Sequence, residues 1–366
     1  MKNDLENISE IKWAARLFIL ISAVTLLIIG KYLFVPIVIA IFFTFLLYPI
    51  SRKLEKYKVP KSLAVILSIL LAMVLFAGIV YFFMVQLNSF QEDIPLLSEQ
   101  AVIKGNRILE WVENKTHITK DIQIAWIQEK IKEAATYGPE LMLGLFSTTG
   151  TFLAMFALIP LYIFFLTYFR DKYKKFIVLV ARENNRNVLD IIKKTSRVSV
   201  KYLKGLMIDV LILSVLGSIG YLLLDIKHAI LFGVLAALLN IVPYVGVLVG
   251  SLLPIMMAII TKDEIGYAIG ALGVALVVQF IDNNFISPYV IGSSVSINPL
   301  TAMIVLIVGA MMWGVAGMIL SMPLAGMMKV IFDNIEPLKP WGYLIGEEVN
   351  YQEKGFFKSK KDKIKV

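Results

Sequence analysis

The 366-residue chain is 58% hydrophobic and 17% charged, whereas soluble domains run at about 45–50% and about 25%. It has no cysteine, which excludes disulfides, thiol catalysis and cysteine-ligated metals. The formal net charge of +9 would suit a nucleic-acid partner, but the basic residues sit beside apolar runs, where membrane-orientation rules place them, so no nucleic-acid partner is expected.

Met1–Lys12 is charged and lacks a small-residue cleavage pattern, so the apolar run 13–30 reads as a retained first span rather than a signal peptide. A second run, 32–50, contains Pro36 and Pro49, and a third, 62–86, follows the loop 51–61 with its five basic residues and one acidic. Together they form an N-terminal unit, 1–86. Residues 87–140, with nine acidic and six basic residues, read as an extracytoplasmic insertion. Within it Ile103, Ile108, Trp111 and Val112, then Ile122, Trp126, Ile127 and Ile131, recur near helical spacing up to Gly138-Pro139, which predicts a short helical hairpin over 98–137.

The fourth span, 141–169, leads into 170–204, which holds eleven basic and three acidic residues. Phe176–Val180 and Val188, Leu189, Ile191 and Ile192 interleave with that charge, giving a cytoplasmic, basic amphipathic helical segment near anionic headgroups. Topology signalling accounts for the same charge equally well. A C-terminal core, 205–332, opens with the run 205–224 and continues through blocks at 229–260, 267–286 and 300–328. The remainder, 333–366, is a basic tail whose final stretch, 354–366, has six Lys and one Asp.

The positive-inside rule puts 51–61, 170–204 and both termini in the cytoplasm. The block 229–260, interrupted by Pro243 and Pro254, is either one broken crossing or a re-entrant hairpin. Counted as one crossing, it gives an all-α transmembrane helix bundle of about eight spans, broken or re-entrant near 240–250, and reconciles both ends.

Ionisable groups inside apolar spans are costly and mark functional sites by default. Asp209 and Asp282 stand out. Asp209 would contact a substrate or cation, carry a proton, or simply pair with Lys201 or Lys204. Gln279, Asp282 and Asn283 are spaced three to four apart, so they can share a helix face, with Asn284 beside them. Pro288 and Pro299 bracket a loop that ends this helix, and Asn240, Pro243, Tyr244 and Gly246 form a second candidate break at membrane depth. Gly250, Pro254, Gly314, Gly317 and Pro323 are further hinge or close-packing positions. His117 and His228 lack ligand partners nearby in sequence, so no metal or cofactor is expected. No phosphate-binding glycine loop points to an ATP engine, and a pair of lone Asp residues is weak support for an intramembrane protease, so the chain is not expected to be an enzyme.

These motifs have a recognisable order: Asn240-Ile-Val-Pro243-Tyr244-Val-Gly246, then Gln279-Phe-Ile-Asp282-Asn283-Asn284-Phe-Ile-Ser-Pro288, Asn298-Pro299-Leu300 and Trp313-Gly314-Val-Ala-Gly317, ending in Pro323. The chain resembles the autoinducer-2 exporter family of bacterial membrane proteins. The likeness covers roughly 12–335 in hydropathy layout, with the specific motifs in 200–330. It departs from the family pattern at Leu206, Val247 and Asp282-Asn283, where Gln, Pro and Glu-Gly are frequent. The carboxylate is retained but shortened.

The resemblance implies an inner-membrane homo-oligomer that exports a small polar solute or exchanges a monovalent cation for protons. The expected pathway runs between the break at Asn240–Gly246 and the Gln279–Asn284 face. A channel-like facilitator and a non-transporting membrane scaffold are the rival readings.

Overall fold

The computed structural model describes residues 2–116, 149–180, 185–242, 245–290 and 296–347, with isolated positions between 119 and 129. The chain order is α1 (Lys2–Ile29), α2 (Lys31–Lys56), α3 (Lys61–Thr116), α4 (Thr149–Tyr168), α5 (Arg170–Val180), α6 (Asn185–Leu223), α7 (Ala229–Leu239), α8 (Val245–Thr261) and α9 (Ile265–Ile281). A π-helical turn, Asp282–Ile286, then joins α9 to α10 (Ser287–Val290), and α11 (Pro299–Asn334) and α12 (Lys339–Ile345) complete the described fold. Among the described residues, five helical stretches are long and apolar enough to cross a membrane: Lys31–Lys56, Lys61–Asp93, Val188–Leu223, Ile265–Val290 and Pro299–Asn334.

Hydrocarbon offers the backbone no hydrogen-bond partner, so each embedded segment must satisfy its own peptide groups, and helices do so internally. Three embedded serine hydroxyls are satisfied within their own helices too. Ser68, Ser199 and Ser214 donate to the carbonyls of Ala64, Thr195 and Val210, each four residues back, at 2.8, 3.0 and 2.6 Å.

Two apolar blocks turn back on themselves instead of crossing. A straight helix of 36 residues would be roughly 54 Å long, against a hydrocarbon core of about 30 Å. In α11 the chain reverses at Gly314, whose φ of 62° and ψ of −139° lie outside helical space and suit a residue without a Cβ. Gly309 and Gly317 then touch across the two arms: a Cβ added at Gly317 would lie 1.9 Å from the Gly309 carbonyl oxygen. The tip is held where Trp313 Nε1 donates to the Leu27 carbonyl at 3.0 Å. At the other end Asn298 caps the first arm by accepting from the Thr301 amide at 2.8 Å, and donates its own amide to the Leu344 carbonyl beside α12.

The second reversal joins α7 to α8. Gly250 packs on Ala236, with an added Cβ falling 2.8 Å from the Ala236 Cα, and Gly246 abuts the backbone of Leu239. Both roots of this hairpin lie at one rim, where Lys262 donates to Asp225 at 2.5 Å and Lys104 Nζ donates to the Lys262 carbonyl. The Lys262 ammonium holds the Asp225 carboxyl below the ordinary carboxylate range. The block 229–260 is therefore the re-entrant hairpin, not the single broken crossing that the span count assumed, and 300–328 is a hairpin too. Each hairpin brings its two roots back together, at Asp225 and Lys262 in one case and at Asn298 and Leu344 in the other.

Other expectations are revised as well. Helix α3 runs unbroken for 56 residues, past Pro95 to Thr116, so 98–116 extends the third span rather than forming one arm of a separate hairpin. Most of the second arm around Ile122–Ile131, and Gly138-Pro139, lie outside the described residues. The extension of α3 serves the hairpin root: Leu97 is buried with Tyr221, Ala229, Phe232 and Met257, and Asp93 bonds Lys227 at 2.6 Å and His228 at 2.8 Å. The segment 170–204 is divided between α5 and the first turns of α6.

Gly317→Ala places a methyl against backbone and should lower stability by about 1–3 kcal/mol, read as a lower midpoint of thermal unfolding in detergent. Gly78→Ala, with nothing within 4 Å of the added Cβ, serves as the neutral control. Because the chain has no cysteine, single cysteines at Lys227 and Asp263 should both react with an impermeant maleimide from the same side of sealed vesicles. Reaction from opposite sides would restore a crossing for 229–260.

Candidate functional site

Three elements bring polar side chains together inside the bundle. Asp209 on α6 and Asp282 at the end of α9 are 4% and 3% exposed, and are the carboxylates buried among the described residues. They are close enough to interact electrostatically across α6 and α9. Asn240, at the tip of α7, donates its side-chain amide to one oxygen of Asp282 at 2.9 Å, and Ser287 donates its hydroxyl to the other at 2.8 Å. Asp209 Oδ1 is buried with no hydrogen-bond partner.

The π turn makes this geometry. Its backbone bond runs from the Ser287 amide to the Asp282 carbonyl, five residues apart, which brings the Ser287 hydroxyl beneath the Asp282 carboxylate. The wider turn buries Asp282 and Ile286 and leaves Asn283, Asn284 and Phe285 exposed. Gln279 and Asn283 do share a face and bond at 2.9 Å, but Asp282 does not lie on it. The expected Gln279–Asp282–Asn283 surface is thus split, because neighbouring residues of a helix point about 100° apart. Asn284 bonds back to the Phe280 carbonyl at 2.8 Å and faces away from the acids.

The sequence alternative in which Asp209 pairs with Lys201 or Lys204 is also corrected. Both lysines are exposed, while Asp209 is buried toward α9. Pro243 and Tyr244 lie outside the described residues. Gly246 and Gly250 seal the arms of the α7–α8 hairpin, Pro254 is buried within α8, and Pro288 is exposed on α10. Pro299 opens α11, Gly314 turns it, and Gly317 and Pro323 are buried in its second arm.

Beside the carboxylates is a small cavity between α6, α7, α8 and α9. Small residues make the space: Gly217, Gly233 and Ala236 line it, while Asn240, Ser251 and Gln279 supply polar atoms. Gly217 and Gly233 bring α6 and α7 into backbone contact, since a Cβ on Gly233 would reach 2.4 Å from the Ser218 amide nitrogen. Asn240 belongs to both features, lining the cavity with its residue and reaching Asp282 with its amide. Ser287, Gly217 and Ser251 were not singled out from sequence. The spacing of Ser287 five residues after Asp282 is a signal only once a π turn is known. Among the described residues, no group of three or more His, Asp or Glu is placed to hold a metal.

Asp282→Ala would strand the Asn240 and Ser287 donors and should destabilise by about 1–3 kcal/mol. Asp209→Asn removes one of two facing carboxylates and should cost less, or stabilise. Thermal unfolding of the two variants compared with the unsubstituted chain checks the order. A larger loss for Asp209→Asn would contradict the facing-carboxylate geometry.

A protein-family model described as AI-2E family transporter matches residues 17–336. Relatives named "Putative transport protein" include YrrI of Bacillus subtilis (strain 168), 26% identical over 315 residues, covering 82% of this chain and 86% of its own length. YueF of the same strain is 27% identical over 323 residues, with coverage of 83% and 84%. YhhT of Escherichia coli (strain K12) is 20% identical over 313 residues, covering 85% and 87%. With its multi-pass helical bundle and a family match over most of its length, the chain belongs to the AI-2E transporter family of membrane transport proteins.

Proposed function

We propose that the chain is a secondary transporter of the bacterial inner membrane that exports a small polar solute, of the autoinducer-2 type, using a proton or monovalent-cation gradient. The observation that carries this reading is the buried pair Asp209 and Asp282, joined by Asn240 to a cavity with polar groups. Two facing carboxylates in a low-dielectric interior repel each other unless one takes a proton or a cation sits between them. The unpartnered Asp209 Oδ1 is the natural acceptor for either. Asn240 and Ser287 meanwhile hold Asp282 in place from two directions. Loading and unloading the pair changes the charge against which the Asn240 tip is bonded, which links ion occupancy to the α7–α8 hairpin. In this reading the segments 51–61 and 170–204 face the cytoplasm, as their Lys and Arg excess favours.

A second reading, Na+ or Li+ exchange for protons without an organic solute, draws on the same pair. A paired carboxylate site needs no larger cavity to exchange monovalent ions. The two readings separate in proteoliposomes under an imposed pH gradient, assayed with polar solutes, Na+ and Li+. Under either reading Asp282→Asn should lower the coupled flux by roughly thirtyfold or more, the effect of losing about 2 kcal/mol or more at a buried charged site. Unchanged solute flux and unchanged ion-driven proton movement in that variant would remove the acid pair from the mechanism. Flux that follows the solute gradient alone would favour a channel.

A further inference from the structure

The basic rim carries charge that the transport pathway does not use. At the end of α2, Tyr48, Pro49, Arg52, Lys53 and Lys56 line a shallow cleft. The acids of this corner are already engaged. Glu55 receives both guanidinium nitrogens of Arg170, at 2.8 and 2.5 Å, and Asp171 accepts from Lys61 at 2.7 Å. The Lys61 ammonium holds the Asp171 carboxyl below its ordinary range. Arg52, Lys53 and Lys56 have no acidic partner among the described residues. The guanidiniums of Arg52 and Arg170 lie 5.9 and 5.2 Å from the Tyr48 ring centre, which fixes the back wall of the cleft.

Helix α5 begins at this wall, because Arg170 is its first residue. Tyr173, Phe176, Ile177 and Val180 follow at spacings of three and four, forming one apolar stripe, and all four are exposed. Lys172 and Lys175 lie off this stripe, with the exposed Leu179 between them, and form no ion pair among the described residues. An apolar stripe backed by lysines, placed directly after a traversing helix, is the pattern of a helix lying in the interface of a bilayer. Basic pockets at that depth suit lipid headgroups.

We propose that the Tyr48–Arg52–Lys53–Lys56 cleft binds the phosphodiester headgroup of an anionic phospholipid, with the apolar stripe of α5 seated among the acyl chains of the same leaflet. The chemistry recognised is a phosphate oxyanion, and a lipid supplies it because cleft and stripe meet at Arg170. The cleft neutralises the headgroup while the stripe removes four apolar side chains from water.

Phosphatidylglycerol titrated into the purified full chain in micelles, with phosphatidylcholine and inorganic phosphate as separate arms, tests this. Binding is read by native mass spectrometry and by the thermal unfolding midpoint. Phosphatidylglycerol should bind and raise the midpoint. In R52Q/K53Q/K56Q its affinity should fall on the order of a hundredfold, about fivefold for each cation lost. The effect in the unsubstituted chain should shrink as salt rises. Equal phosphatidylglycerol retention by the triple variant would overturn the proposal. So would equal stabilisation by inorganic phosphate, which would make this a soluble-anion site, or by phosphatidylcholine, which would make the headgroup charge irrelevant. Should the triple variant fail to fold, K53Q and K56Q taken singly carry the test, and an unchanged affinity in both overturns it.

Discussion

Everything unusual in this fold depends on backbones that touch. Helices in lipid gain no hydrophobic driving force from meeting one another and associate through close van der Waals contact. Gly309 against Gly317, Gly250 against Ala236 and Gly233 against Ser218 are such contacts, each too close for an added methyl. They let two apolar blocks fold back within the membrane with their peptide groups still paired along helices. Without them, the reversals at Gly314 and after Asn240 would splay and open their polar ends to lipid. The same small residues leave the space that becomes the cavity between α6, α7, α8 and α9.

The carboxylate pair sits where one of these reversals meets an interruption of another helix. Asn240 ends the first arm of the α7–α8 hairpin, and the π turn ends α9. A charged group in such a place needs donors from its surroundings, and a helix interior offers none because its amides are already used. The hairpin tip contributes an amide and the π turn a hydroxyl. Broken helices and polar binding sites in membranes occur together for this reason, since irregular backbone and buried charge satisfy each other.

Much of this was legible in the order of residues, and the limits follow from physics. The helical class and the embedded blocks came from hydropathy, and the two acids stood out because charge is expensive in lipid. Pro243, Gly246 and Gly314 mark interruptions, since proline and glycine weaken a straight helix and an apolar run gains nothing else from them. The outcome of an interruption was harder to read. A kink and a full reversal present the same composition, and the contact between Gly309 and Gly317 decides between them. Spacing of three and four from Gln279 then grouped Asp282 with Asn283, although neighbouring residues of a helix point about 100° apart and one of them had to turn inward. The Asp209–Asp282 contact joins residues far apart in the chain, which local spacing cannot reveal. Asp209 consequently had two lysines close in sequence as candidate partners, and its real neighbour came from another helix.

The long third helix bears on how the α7–α8 hairpin can move. Asp93, Leu97 and Lys104 of α3 secure the hairpin at its base by ion pairs and burial, together with the bond from Lys262 to Asp225. The tip meets the acid pair through the amide of Asn240. In mechanical terms the hairpin is a cantilever built into a stiff post. A beam of that kind is most compliant at its free end, so a small change of force there gives the largest displacement. The carboxyl group of Asp282 is bonded at that end.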